Sequence, residues 1–188
     1  RLVELMDAIA EVYASIFGPD PIIYRLHNNL LDYREEMGIL IQEVVGTKVG
    51  PYFFPSFAGV AFSRNEYRWS PRILPEDGLV RLVPGLGTRA VDRLSNDYPI
   101  LLSPGKPGLR VNVTIDEVVK YSPKFIDVIN LESGSFETIE IDSLLKRYGK
   151  DYPAISRVVS VLKENHIQPA RPLGINFSNS SFVVNFEG

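Results

Sequence analysis

The segment with the clearest chemical potential in this chain is Gly85 to Arg89 (GLGTR), which follows the apolar strand pattern of Leu79 to Val83. Glycine lets the backbone approach an anion closely, and main-chain N–H groups at a turn and helix start can hold a phosphate. The Thr88 hydroxyl could donate a hydrogen bond, and the Arg89 guanidinium could pair with two phosphate oxygens. The pattern also suits an ordinary tight turn with Thr88 as N-cap and Arg89 exposed, so both interpretations stay open.

A second polar group stands near the end of an earlier apolar run. The β-branched and apolar residues of Gly38 to Val45 predict a buried strand, and Gln42, Glu43 and Val44 lie near its end. A purine ring is commonly held at such a place by main-chain N–H and C=O groups and one side-chain amide, which Gln42 could supply. A glutamine at a strand end can equally be an ordinary surface residue.

A third candidate closes the next predicted strand, Gly59 to Ser63. Ser63, Arg64 and Asn65 place a hydroxyl, a guanidinium and an amide in succession, and they could face a triphosphate. Serine and asparagine also favour turns for local hydrogen-bonding reasons, so turn chemistry is the alternative.

The remaining reactive residue types do not form a site of their own. Adjacent acids on a helix or strand point in different directions, which makes neighbouring pairs poor chelates. The chain has no cysteine, which excludes thiolate chemistry and zinc–sulfur sites. We therefore predict neither a catalytic residue nor a metal ligand within this chain. The acid pairs are Glu35-Glu36, Glu76-Asp77 and Asp116-Glu117, and the two histidines are His27 and His166.

The amino-acid composition limits the classes of protein to which this chain can belong. The chain has 188 residues, of which 45% are hydrophobic and 23% charged, so it can build a core and is not expected to be disordered. A net charge of -3 with scattered Lys and Arg argues against a nucleic-acid partner. No apolar run approaches the roughly 20 residues that cross a bilayer, so we expect no membrane partner and a cytoplasmic location.

The strands of this sequence are short and close together, and helices are interspersed among them. This order predicts an α+β fold with a mixed, largely antiparallel sheet flanked by helices. We expect helices over Arg1 to Phe17, where apolar residues form one stripe packed on a sheet, over Leu30 to Met37, from Thr88 to Arg93, from Asp142 to Gly149, and after Pro153. We expect strands over Gly38 to Val45, Gly59 to Ser63, Leu79 to Val83, Tyr98 to Leu102, Phe125 to Leu131 and Phe136 to Ile141.

Five segments in this order resemble the nucleotide-binding domain of the phosphoenolpyruvate synthase and pyruvate phosphate dikinase family, an ATP-grasp type domain. The resemblance is good over residues 1–107, whereas residues 108–188 form a hairpin and helical extension to a single domain fragment. One difference is Thr88, where the standard synthases carry an acidic residue. The segments are VYASIF (Val12 to Phe17), YR (Tyr24-Arg25), ILIQEVVG (Ile39 to Gly46), GVAFSRN (Gly59 to Asn65) and GLGTRAVDR (Gly85 to Arg93).

The resemblance implies roles for particular residues. Gln42 would contact the adenine amino group, and Glu43 and Val44 would supply main-chain groups to the ring. Ser63 and Arg64 would lie near the nucleotide. The segment containing Gly85, Gly87 and Arg89 would lie beside the same cleft.

The family transfers a phosphoryl group from ATP, with Mg²⁺, through a phosphohistidine to pyruvate or a similar acceptor. The resemblance places its phosphate loop, metal-binding Glu and phosphorylated His outside these 188 residues. We therefore expect a piece of a longer phosphotransferase that is inactive alone, and uncovered apolar surface that favours self-association. Two alternatives stay open: a non-catalytic nucleotide-binding or interaction module derived from the fold, and a structural domain without a ligand.

Overall fold

The computed structural model describes residues 2–91, 97–164, 166–169 and 176–186. The chain divides into two compact units, an N-terminal unit, Arg1–Glu43, and a C-terminal unit, Val44–Gly188. The assignment of all 188 residues to one ATP-grasp fragment stays a prediction. The part of the predicted helix Thr88 to Arg93 that follows Val91 lies outside the described residues.

The N-terminal unit begins with the predicted amphipathic helix. Helix α1 comprises Leu2–Ser15, within one or two residues of the expected bounds. None of its residues is buried, and Leu2 and Met6 are 73% and 57% exposed. The helix itself is therefore confirmed, while the apolar stripe that was expected to be buried against a sheet is exposed.

The second helix lies earlier than the sequence pattern indicated. Helix α2 comprises Pro19–His27, and Leu30 to Met37 forms no helix. Gly18 is the N-cap, Pro19 fits the first helical turn because its missing N–H needs no partner there, and Asp20 is favourable beside the helix N-terminus. The Gly18-Pro19 pair therefore starts a helix as well as ending one.

The predicted strand Gly38 to Val45 is wrong. These residues have no regular secondary structure, and Leu40, Ile41 and Val45 are 79%, 64% and 76% exposed. A strand is stabilised by pairing with a neighbour, and no described strand pairs with this segment. The apolar and β-branched residues of this segment favour a strand, but they do not by themselves supply a neighbouring strand with which to pair.

The C-terminal unit contains three antiparallel sheets. The first has the order β1-β2-β6-β7, the second β3-β4-β5 and the third β10-β8-β9. Together with the helices they confirm the α+β class, although the predicted single mixed sheet is divided into three. Their strands are β1 Thr47–Val49, β2 Tyr52–Phe54, β3 Ala58–Phe62, β4 Leu79–Val83, β5 Ile100–Leu102, β6 Phe125–Asn130, β7 Ser135–Glu140, β8 Val159–Lys163, β9 His166–Pro169 and β10 Ser181–Val184.

Local patterns located the second sheet and the β6–β7 hairpin well. Strand β4 has the predicted bounds, and β3, β5, β6 and β7 differ from them by one or two residues. In the hairpin, Phe125 pairs with Glu140 and Asn130 with Ser135, across a turn in which Gly134 adopts a φ of 70°. By contrast, β1 and β2 form within Gly46 to Pro55, where no strand was predicted.

Three short α-helices lie between the strands in the described part of this unit. Helix α3 is Thr88–Val91, α4 is Ile115–Tyr121 and α5 is Ile141–Tyr148. The helix predicted from Asp142 forms as α5, with Asp142 in its first turn and Glu140 as its N-cap. The helix predicted after Pro153 is instead a short 3-10 segment, Pro153–Arg157, followed by strand β8.

The core of the C-terminal unit joins the first and third sheets. Phe54 and Tyr152 are 0% and 1% exposed, and their rings meet edge to face with centroids 5.4 Å apart. Ile126, Leu145 and other apolar side chains surround them. Burial raises the pKa of Tyr152, whose phenol therefore stays neutral in this core.

Helix α4 begins with a capping box that sequence analysis missed. Glu117 N–H donates to the Thr114 hydroxyl, and the Glu117 carboxylate accepts from the N–H groups of Thr114 and Val113 at 3.0 and 3.1 Å. The hydrogen bond from the Thr114 N–H, followed by that from Val113, lowers the pKa of Glu117 below its ordinary value of 4.5. The charged form is thus favoured in the folded state.

We expect Glu117→Gln to lower stability at neutral pH. A carboxyl with a depressed folded pKa stabilises the fold above its unfolded pKa, and this contribution is lost as the pH falls through the folded value. The gap in urea midpoint between wild type and Glu117→Gln should therefore close below pH 4.5. Fluorescence of Trp69, the single tryptophan, reports unfolding, and Glu132→Gln, on the exposed β6–β7 turn, is the control. A gap that persists at low pH would contradict the capping role.

Candidate functional site

The turn after β4 is packed tightly against strand β6. Gly85 forms a parallel bridge with Asp127, and the Leu86 N–H donates to the Asp127 carbonyl at 3.0 Å. Gly85 has a φ of 72°, and a Cβ placed there would lie 2.3 Å from Cγ1 of Ile126. The absence of a side chain at Gly85 therefore allows the backbone of this turn to approach the backbone of β6 closely.

Arg89 lies between two buried carboxylates. Its Nη2 is 3.0 Å from Oδ2 of Asp97, and its Nη1 is 3.5 Å from Oδ1 of Asp127. The Arg89 side chain is 11% exposed and each carboxylate side chain 4%. The alternative in which Arg89 is an exposed residue after a turn is wrong. Because water screens such charges poorly, this cluster depends strongly on keeping all three members.

Other donors complete the hydrogen bonding of both carboxylates. Asp127 accepts from the hydroxyls of Thr88 and Thr138, and Asp97 accepts from the N–H groups of Lys124 at 2.8 Å and Phe125 at 3.3 Å. Such a satisfied network fixes the turn, α3 and β6 to one another. The polar groups of Thr88 and Arg89 are therefore directed toward protein partners.

Two further contacts extend this cluster. The Arg89 guanidinium carbon lies 5.4 Å from the centre of the Phe125 ring, within the range of a cation–π interaction. Partial burial lowers the pKa of the Lys124 amino group, an effect that the negative charge of Asp97 opposes. The Lys124 amino group also donates to the Ser122 hydroxyl at 2.6 Å.

The end of β3 presents a more accessible polar group. Ser63 is exposed, and Arg64 makes an exposed ion pair with Glu66 at 3.2 Å. Asn65 is fully buried, and neither polar atom of its side chain has a partner among the described residues. Its main-chain N–H donates to the Pro75 carbonyl at 2.7 Å. Ser63 and Arg64 can therefore meet a ligand, whereas Asn65 belongs to the interior.

The predicted site residues fall into separate groups. Gly85, Gly87 and Arg89 share one turn, and within the described ranges no ion pair or hydrogen bond joins them to Ser63 or Arg64. Gln42 and Glu43 are exposed in the N-terminal unit, and Val44 is 46% exposed at the start of the C-terminal unit.

Sequence analysis missed a cavity of about 520 Å³ on the second sheet. None of the eight predicted site residues lines it. Arg81, a charged residue in the middle of the apolar strand pattern LVRLV, was the available signal. Tyr67 is 65% exposed and borders this cavity.

The described residues offer neither a metal-binding cluster nor a membrane span. No three or more His, Cys, Asp or Glu side chains in the described ranges are grouped so that they could hold a metal ion. The described residues thus give no ligand set for the Mg²⁺ that the resemblance implies. No helix within the described part of the chain is long and apolar enough to cross a membrane.

Comparison with known protein families shows the family of this chain. Residues 2–150 match the model of the pyruvate phosphate dikinase AMP/ATP-binding domain. The chain belongs to this family. No curated protein and no solved structure matches it.

Membership in the pyruvate phosphate dikinase AMP/ATP-binding domain family supports ATP or AMP as a ligand. The matched region continues past Pro107 through β6, β7 and α5, and it ends beside Asp151. It therefore contains every predicted site residue and also the Asp127 that holds Arg89. Thr88 and its hydrogen bond to Asp127 lie within the matched region as well.

Proposed function

We propose that this chain contributes the adenine-side wall of the ATP site in a phosphotransferase resembling phosphoenolpyruvate synthase and pyruvate phosphate dikinase. The observation that carries the proposal is the match of residues 2–150 to the AMP/ATP-binding domain. The exposure of Gln42, Glu43, Ser63 and Arg64 supports it, because these side chains are accessible to a nucleotide.

Each residue has a distinct role in this proposal. The Gln42 amide accepts from the adenine amino group, and the main chain of Glu43 and Val44 supplies further hydrogen bonds to the ring. Ser63 donates to a phosphate oxygen, and Arg64 exchanges its exposed partner Glu66 for phosphate. The turn with Gly85, Gly87 and Arg89 lies beside the cleft in this proposal, and the buried ion pairs of Arg89 hold that turn against β6.

The chain alone has no turnover in this proposal. Phosphoryl transfer needs cations that neutralise charge on the transferred group, and the resemblance places those groups and the Mg²⁺ ligands outside these 188 residues. The chain would bind and orient ATP in the cytoplasm, while a pyruvate-like acceptor would be held elsewhere in the protein. Phosphate release from ATP by this chain alone would contradict the proposal.

Calorimetric titration of Mg·ATP tests the binding role. We expect binding to a version extended at both ends, and Gln42→Ala in that version should weaken it about tenfold, since one hydrogen bond to adenine is lost. Gln168→Ala, which removes the other glutamine of the chain, is the matched control and should leave the affinity unchanged.

The same titration shows whether an ATP site exists and whether Gln42 belongs to it. Binding only to the extended version supports an ATP site completed by further residues. An equal effect of Gln42→Ala and Gln168→Ala would remove Gln42 from the site. The absence of ATP binding to both versions would contradict the phosphotransferase assignment.

A second candidate function is a non-catalytic nucleotide-binding or interaction module. Thr88, at the position where the standard synthases carry an acidic residue, donates to Asp127, and Arg89 is engaged by two carboxylates. These contacts favour a structural role for this turn. ATP binding without phosphoryl transfer in the extended protein would support this candidate.

A further inference from the structure

The cavity missed by sequence analysis lies on one face of the second sheet. Leu79 and Arg81 point to the same face of β4, because side chains alternate along a strand. Leu101 of β5 is directly opposite Arg81 in the antiparallel register. Tyr67, Tyr98 and Tyr121 border the space above them, and Pro99, Val111 and Asn112 complete the lining. The volume of about 520 Å³ falls in the range of small-molecule sites.

Arg81 supplies the charge of this cavity. It is the one charged side chain in the lining, it is half-buried, and no ion pair or hydrogen bond to its side chain occurs within the described ranges. By contrast, Arg89 contacts two carboxylates and Arg64 contacts one. A guanidinium in an apolar strand loses hydration, and an anion would restore paired hydrogen bonds to it.

The aromatic residues favour a flat ligand. Tyr98 and Tyr121 meet edge to face with centroids 5.4 Å apart, so their rings support each other in position. The Lys120 amino group lies 5.1 Å from the centre of the Tyr121 ring, which adds positive charge nearby. Tyrosine rings provide stacking surfaces for another ring, and the Asn112 amide can both donate and accept at its edge.

We propose that this cavity is a binding site for a small flat aromatic ring carrying an anionic group, either phosphate or carboxylate. Arg81 pairs with the anion, and the tyrosines at positions 67, 98 and 121 contact the ring. This site uses none of the residues proposed to hold ATP, so it goes beyond the proposed function.

The test uses phenyl phosphate as the probe, together with phenol for the ring alone and inorganic phosphate for the anion alone. Calorimetric titration into the full chain should show phenyl phosphate binding more tightly than either part. Arg81→Gln should weaken phenyl phosphate about tenfold or more, as expected for a lost charged hydrogen bond. Benzoate, titrated in parallel, distinguishes a carboxylate from a phosphate preference.

Matched variants show whether phenyl phosphate binding depends on Arg81 and its cavity. Arg72→Gln removes an exposed arginine that does not line the cavity and should leave the affinity unchanged. Gln42→Ala should also leave it unchanged, which separates this site from the proposed adenine contact. Arg81→Lys retains the charge and should bind with intermediate affinity, and Trp69 fluorescence shows whether each variant is folded.

Three outcomes would overturn the proposal. The first is that neither phenyl phosphate nor benzoate binds to the folded wild-type chain. The second is that inorganic phosphate or phenol binds as tightly as phenyl phosphate. The third is that Arg72→Gln weakens binding as much as Arg81→Gln, which would indicate general attraction to positive charge.

Discussion

Replacement of Arg89 with leucine is expected to lower the free energy of unfolding by about 3–5 kcal/mol. The substitution leaves the carboxylates of Asp97 and Asp127 buried without the guanidinium that lies 3.0 and 3.5 Å from them. The hydrogen bonds from the Lys124 and Phe125 N–H groups and from the threonine hydroxyls do not neutralise these charges. Urea unfolding of the full chain, followed by Trp69 fluorescence, measures the loss.

Arg64→Leu is the matched control for this prediction. Arg64 also makes an ion pair, with Glu66 at 3.2 Å, but its side chain is 67% exposed. Exposed pairs contribute on the order of 0–1 kcal/mol because water screens them. A loss in Arg89→Leu no larger than in Arg64→Leu would show that the buried cluster does not hold the turn against β6.

The second large effect is expected at Gly85. Gly85→Ala should destabilise the fold by roughly 2–5 kcal/mol, which combines the cost of a left-handed backbone with that of overpacking. The φ of Gly85 is 72°, and its new Cβ would lie 2.3 Å from the Ile126 side chain and 2.6 Å from the Asp127 carbonyl oxygen. Movement of the turn would also break the hydrogen bond from the Leu86 N–H to that oxygen.

Gly108→Ala is the control for this substitution. Among the described residues, no atom beyond its chain neighbours lies within 4 Å of a Cβ built at Gly108, and its φ is not positive. The urea midpoint of Gly108→Ala should match wild type within error or rise slightly, because alanine restricts the unfolded chain. A Gly85→Ala midpoint close to that of Gly108→Ala would mean that the turn is free to move away from β6.

The family relationship was accessible from short segments, because those segments keep residue identity as well as pattern. GLGTRAVDR and GVAFSRN lie in the region that matches the AMP/ATP-binding domain. The roles of Gln42 and Arg64 stay predictions, since residue identity alone does not say what a side chain contacts. The Mg·ATP titration addresses them directly.

Local sequence determined the elements that local interactions stabilise. Strand β4 and the β6–β7 hairpin were predicted closely because alternation and a glycine turn act over a few residues. The pattern of Gly38 to Val45 failed because a strand needs a partner from elsewhere in the chain. The apolar pattern of the residues after Pro153 is compatible with a helix or a strand. Pairing with β9 and β10 makes β8 a strand.

Only the tertiary structure decided what the charged residues do. Arg89 is far in sequence from Asp127, yet the approach of the turn to β6 brings the two side chains together and gives the guanidinium a buried carboxylate partner. Arg81 lies in a strand that was predicted correctly, but its cavity arises from β4, β5 and the segments that contain Tyr67, Tyr98, Val111 and Tyr121. Sequence periodicity assigns a side chain to a face of its own element, whereas its electrostatic partners come from the packing of distant elements.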